Sequence, residues 1–97
     1  MRLELSRHIE TDLALIADFI ARDNPRRAVT FIQDIRRKFS EIQYAPLIYQ
    51  LHPDIGEEAR MATLGNYVIL FRVTRELIRI ERVVYGNRHL PDVIDVR

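Results

Sequence analysis

The sequence predicts an α+β domain of the order βααβββ, with an N-terminal helical hairpin packed on a small, mainly antiparallel sheet. Three patterns predict it. Apolar residues recur at helical spacing through two consecutive stretches in the first half of the chain, three strand-like stretches follow the loop marked by Pro46, Pro53 and Gly56, and the opening MRLELS alternates apolar with charged residues. At 97 residues the chain is one domain, 1–97, with room for about two packed layers. A hydrophobic fraction of 47% beside 30% charged residues is the balance of an ordinary globular chain. There is no cysteine, which removes disulfides and thiolate metal sites and points to a reducing cytoplasm. Apolar runs such as YVILF at 67 to 71 fall far short of the roughly 20 residues needed to cross a bilayer, and the N-terminus carries no signal-peptide pattern. A cytoplasmic protein without a membrane partner is expected.

The first element is the strand in MRLELS, where Leu3 and Leu5 alternate with Arg2 and Glu4 to give one buried face. From His8 to Arg22 the period lengthens, and Ile9, Leu13, Ile16, Ala17 and Ile20 lie along one helical stripe. At about 100° per residue, Leu15 and Phe19 fall on the far side of that stripe. Helix 1 therefore touches a second neighbour or leaves an apolar patch for a partner. It stops at Asp23, because Asn24-Pro25 supplies an N-cap and a first-turn proline for the next helix. In helix 2, Ala28, Phe31, Ile32, Ile35, Phe39 and Ile42 bury one face and leave Arg37, Lys38 and Glu41 in water. The short connection makes the two helices an antiparallel hairpin. Strands are expected at roughly 59 to 64, 67 to 73 (YVILFRV) and 77 to 85 (LIRIERVVY), joined by hairpin turns at Gly65-Asn66 and Thr74-Arg75-Glu76.

The last strand runs into a cluster. RVVYGNRHL, residues 82 to 90, brings Arg82, Tyr85, Arg88 and His89 close together in sequence. Strict alternation puts Arg82 on the face of Ile78 and Ile80 and sends Tyr85 to the other, unless a bulge intervenes. Arg60 is expected to approach Arg82 across the sheet, and two arginines at one spot make a socket for phosphate or carboxylate. The plainer reading is structural. In it Arg82 pairs with an acid such as Glu81 or Asp92, and Tyr85 is a core residue with its hydroxyl at the edge. His8 and His89 are then surface residues, and Arg36-Arg37-Lys38 is the solvated face of helix 2. Three histidines without HxxxH spacing give no metal site, and no glycine-rich phosphate loop or nucleophile elbow is present, so no cofactor is expected.

The residues in order resemble a known family. Asp12-Leu13, Ile16 and Ile20, then Asp23-Asn24-Pro25, Ala28, Phe31, Ile35, Pro46, Pro53, Gly56, Arg60, Gly65-x-Tyr67 and Arg82-Val83-x-x-Gly86-x-Arg88 resemble the RelE/ParE superfamily of bacterial toxins over nearly the full length. The resemblance implies the βααβββ fold already reached from periodicity, and a cognate antitoxin as partner. RelE-like members resemble ribosome-dependent mRNA endoribonucleases, with cations on the scissile phosphate and a Tyr, His, Lys or Glu for proton transfer. ParE-like members lack that set and are associated with poisoning DNA gyrase. The Asp-Asn-Pro start of helix 2 and the R-V-x-x-G-x-R ending look more like ParE. Tyr85 stands where ParE-like chains often carry His, and His89 where they often carry Asp. These departures supply the ribonuclease alternative with a candidate set: Arg60, Arg82, Tyr85, Arg88 and His89.

Charge separates the two branches. A protein docking among ribosomal phosphates is expected to be strongly basic, whereas this chain carries a net charge of +1, and Lys38 is its only lysine. The expected function is therefore a ParE-like, plasmid-stabilising or growth-inhibiting toxin that acts as a protein-binding inhibitor of DNA gyrase. An enzyme is the less favoured reading, and no direct DNA binding by the toxin alone is expected. The alternatives are a RelE-like endoribonuclease and an attenuated toxin scaffold serving only as a binding module. The expected antitoxin contacts are Leu15, Phe19, Arg60 and Arg82. The expected target contacts are Arg88 and the apolar Leu90, Val93 and Ile94 of the C-terminal segment.

Overall fold

Asn24 decides where the helical hairpin bends. Its side-chain oxygen accepts the backbone N–H of Arg27 at 3.0 Å, and Pro25 sits in the first helical turn. As a result α1 (Ile9–Ala21) ends and α2 (Pro25–Tyr44) begins almost at once. The structure is a computed structural model and describes residues 1–86. Around the hairpin lie β1 (Arg2–Leu5), a 3-10 turn (Pro46–Ile48), β2 (Ala59–Leu64), β3 (Tyr67–Val73) and β4 (Leu77–Tyr85), which is the expected βααβββ order.

The sheet order is β1-β4-β3-β2. β2, β3 and β4 form an antiparallel meander, and β1 adds to β4 in parallel, with Leu5 opposite Ile80 where the pairing stops. Gly65 takes φ 59° as the first residue of the two-residue turn between β2 and β3, the position where a tight hairpin turn favours glycine. Both helices cover one sheet face. Ile9, Leu13 and Ile16 of α1 and Phe31, Ile35, Phe39 and Ile42 of α2 pack against Ile69, Phe71, Ile78, Ile80 and Val83. Each such side chain taken fully out of water contributes roughly 1.5–3 kcal/mol. The other face carries a smaller cluster of Ala59, Val68, Leu70 and Val84, joined by Ile55 from the loop before β2.

Two expectations are corrected here. Leu3 packs on the helix-side core, but Leu5 is exposed, because β1 stops pairing at that residue and Ser6 carries the chain away toward α1. The second concerns β4, which is not regular. Phe71 faces Ile80 and Leu70 faces Arg82, so Glu81 is an extra residue, a bulge. The bulge reverses the alternation. Ile78 and Ile80 face the helices before it, and Val83 does so after it, so Tyr85 joins that same face with its ring 5.4 Å from that of Tyr67. Arg82 is moved off the face of Ile78 and Ile80 and reaches round the strand edge instead. Glu81 itself is buried between two arginines that stand opposite each other, with Arg79 Nε at 3.4 Å and Arg72 Nε at 3.7 Å. A carboxylate there offsets a like-charge cross-strand pair.

Candidate functional site

One carboxylate ties the end of β4 to α1. Asp12, in the first turn of α1, accepts Arg82 Nε at 2.8 Å on Oδ2, Arg82 Nη2 at 2.9 Å on Oδ1, and the backbone N–H of Val83 at 3.0 Å on Oδ2. The forked guanidinium and the third donor leave the buried charge well satisfied, which is what a shielded ion pair requires. The Asp12 carboxylate raises the Arg82 pKa above its ordinary value, with burial opposing. The acid facing Arg82 is thus Asp12, 70 residues earlier in the chain, rather than the neighbouring Glu81. Asp92, the other acid considered, lies outside the described residues.

Arg60 does not join this clamp. It stands opposite Phe71 on β2, and its Nη1 donates to the carbonyl of Tyr49. β3 lies between β2 and β4, so Arg60 and Arg82 are separated by about two strand spacings, ~10 Å. Arg60 shares the sheet face of Phe71, whereas Arg82 lies opposite Leu70 of the other cluster. The expected two-arginine socket does not form, because pairing Arg60 with Arg82 assumed neighbouring strands.

Beside the clamp runs an apolar groove. Leu15 is 63% and Phe19 60% exposed on the outer side of α1, and Tyr85 is 42% exposed at the end of β4. A pocket of about 520 Å³ lies among Phe19, Ile20, Asn66, Tyr67 and Tyr85. It is continuous through Tyr67 and Tyr85 with a cleft of about 180 Å³ between Asp12, Leu15 and Ile16 of α1 and residues 82–85 of β4. The floor is aromatic: Tyr67 meets Phe31 at 5.6 Å and Tyr85 at 5.4 Å between ring centres. Burial, with Tyr85 adding to it, pushes the Tyr67 hydroxyl above its ordinary pKa of 10.0. Such a groove suits the apolar side chains of a partner, and Tyr67 makes a poor proton acceptor in it.

Of the predicted residues, Leu15, Phe19, Arg82 and Tyr85 line this groove, and Arg60 does not. Arg88, His89, Leu90, Val93 and Ile94 lie outside the described residues. The bulge precedes both Arg82 and Tyr85 and leaves them on opposite sheet faces, as the alternation predicts; they border one cleft because the Arg82 side chain reaches round the strand edge to Asp12. Sequence reasoning missed Asp12 and Tyr67 as groove residues. It also missed a second exposed apolar surface, formed by Tyr44 (92%), Leu47, Ile48 and Leu51. The signal for that surface was present: these residues continue past Ile42, the last member of the helical series, around Pro46, where no period buries them. Among the described residues, no group of three or more His, Cys, Asp or Glu is placed to hold a metal ion.

Comparison with known proteins defines the class. The family model described as ParE toxin of type II toxin-antitoxin system, parDE, matches residues 3–90. The chain belongs to that family. Among solved structures it is similar to a chain of the chromosomal ParDE TA system from P. aeruginosa, at 26% identity and a TM-score of 0.75, covering 88% of this chain and 95% of that one. No curated protein matches the chain. Among the described residues no helix is long and apolar enough to cross a membrane.

Proposed function

We propose that the chain is a toxin silenced by a cognate antitoxin seated on the groove between α1 and the end of β4, and that the freed toxin inhibits DNA gyrase by binding it. The observation that carries the antitoxin site is the exposure of Leu15 and Phe19 beside Tyr85: three large apolar side chains in contiguous clefts. Arg82 contributes at the wall of the groove, already oriented by Asp12. Arg60, under Tyr49 on β2, stands apart from it. Binding of a protein target, by Arg88 with Leu90, Val93 and Ile94, needs no convergent acid and base. The net charge of +1 and the commitment of Arg82 to a carboxylate both weigh against a phosphate clamp. In the cell, the target would be the cytoplasmic gyrase.

The test is a pair of measurements. Coexpression with the antitoxin should raise soluble yield, and Leu15→Asp with Phe19→Asp should abolish copurification while the fold persists. Purified toxin should perturb gyrase supercoiling or trap cleaved DNA. Intact supercoiling together with rapid translation-dependent mRNA cleavage would transfer the assignment to the ribonuclease alternative, for which Arg82 and Tyr85 already border one cleft.

A further inference from the structure

β2 ends the sheet with its outer edge only half covered. Leu51 bridges to Arg60 along the first part of that edge, and the His52 N–H donates to the Ala59 carbonyl at 2.8 Å. The Ala59 N–H points outward too, donating to the Gly56 carbonyl at 3.1 Å. Backbone direction alternates along a strand, so the N–H and carbonyl of Met61 and of Thr63 also point outward. Among the described residues, nothing hydrogen-bonds to them there. Beyond Arg60, β2 carries no proline, charge or bulge of the kind that guards a free edge.

We infer that this edge is a homodimer interface, in which β2 of a second copy pairs antiparallel with β2 and joins two four-stranded sheets into one. It is separate from the groove beside β4, because β3 lies between. Leu51 sets the register. It fills the row beside Arg60, so an incoming strand finds room only from Met61 onward. A two-fold axis through paired Ala62 residues would drive Leu64 of the second copy into Leu51. An axis through paired Thr63 residues avoids this: the two Thr63 exchange both backbone hydrogen bonds, and Met61 faces Gly65, where the second copy's chain turns away. Side chains fit that register. Thr63 is exposed and shares with Met61 the face away from the helices, so it stands beside its twin as a β-branched cross-strand pair. On the helix side the half-buried Leu64 faces Ala62 of the second copy, whose small side chain leaves it room. Charge agrees. Arg36 reaches Glu10 of α1, so the opposite flank of α2 faces the β2 edge, and along that flank Arg27, Asp34, Lys38 and Glu41 alternate in sign. The two-fold axis runs two such flanks antiparallel, which sets acids against bases. A second copy is therefore the occupant selected, since the same residues supply both sides of the pairing.

Disulfide crosslinking of the full-length chain tests this, because it has no cysteine of its own. In the dimer the two Thr63 Cα atoms stand about 5.5 Å apart, within disulfide reach, whereas the two Met61 stand about 13 Å apart. Under mild oxidation, Thr63→Cys should form linked dimers about tenfold or more faster than Met61→Cys at the same concentration. The parent chain should pass from monomer to dimer mass in sedimentation as its concentration rises through the micromolar range. Thr63→Pro removes only an outward N–H, so it should keep the parent's circular dichroism while weakening the dimer about tenfold or more. A parent that stays monomeric at millimolar concentration, with equal crosslinking rates for the two cysteine variants, overturns the inference. So does a dimer that links no faster through Thr63→Cys, or one that a folded Thr63→Pro leaves intact, since the contact then lies elsewhere. Should Thr63→Pro fail to fold, the two crosslinking rates decide alone. If Leu15→Asp with Phe19→Asp dissolves the dimer, the second copy sits in the groove and the edge is rejected.

Discussion

Asp12 concentrates the link between helix and sheet in one side chain. With its side chain 5% exposed and that of Arg82 19% exposed, the pair is shielded enough that removing one partner strands the other. Asp12→Asn should therefore cost ~3 kcal/mol, read as a lower urea midpoint at unchanged m-value. Asp12→Leu combined with Arg82→Leu should recover most of that loss, since a well-packed apolar pair replaces a desolvated ionic one at little cost. A loss below ~1 kcal/mol for Asp12→Asn would mean that water reaches the pair. Tyr67 gives a pH signature. Its pKa is raised in the folded state by burial and by Tyr85, so above the ordinary value of 10.0 the unfolded chain releases a proton that the folded one keeps. Stability is then lost as pH rises past 10, and Tyr67→Phe should flatten the fall in urea midpoint between pH 9 and pH 11 relative to the parent. An equal fall in both proteins would place the alkaline effect elsewhere.

At the scale of elements, the turns carry the register. Gly65 holds φ 59°, and a Cβ there would meet only the Phe31 ring, at 3.7 Å, which is ordinary contact. Gly65→Ala should thus cost about 1–2 kcal/mol through backbone conformation alone, visible as a lower thermal midpoint with an unchanged structure. Glu58, at φ 61° before β2, offers the reverse case: Glu58→Gly should relieve strain and raise the midpoint slightly. These local devices explain what was legible in the sequence. The three hairpin strands fall at 59–64, 67–73 and 77–85 as expected, because Gly65-Asn66 and the Thr74–Glu76 turn punctuate two β-branched runs. The hairpin bend was equally legible in Asn24-Pro25. The bulge at Glu81 was not, since no glycine marks it and it is fixed by the buried contacts of Glu81 with Arg72 and Arg79. The Asp12–Arg82 clamp and the separation of Arg60 from Arg82 were also hidden, for both depend on strand order, which periodicity does not encode. Leu15 and Phe19 were readable as a surplus of apolar residues for one helical face. What they border, the aromatic floor of Tyr67 and Tyr85, follows from the bulge.

At the scale of the whole molecule, near-neutral charge and apolar exposure favour recognition of proteins over recognition of phosphates. With a net charge of +1, the chain gains little from counterion release, the term that dominates binding to nucleic acid. Among the described residues, two exposed apolar surfaces stand out. One is the groove of Leu15, Phe19 and Tyr85, and the other is the patch of Tyr44, Leu47 and Ile48 at the far end of α2. If the groove serves the antitoxin and the C-terminal segment serves the target, the two functions separate by mutation. Truncation after Leu90 removes Val93 and Ile94 and should weaken gyrase inhibition by roughly tenfold or more, the scale of losing one or two apolar anchors. It should leave antitoxin affinity within about twofold, because the groove residues of α1 and β4 are untouched. Tyr85→Phe keeps the ring on Tyr67 and removes only the hydroxyl, so it should spare both activities; an RNA-cleaving enzyme that used that hydroxyl would lose turnover instead. Expression of the parent toxin should then induce DNA-damage signalling and filamentation with bulk mRNA intact. Toxicity that survives the truncation but disappears in Tyr85→Phe, with mRNA cut within minutes of induction, would reject gyrase and make the cleft that Arg82 and Tyr85 border a catalytic one.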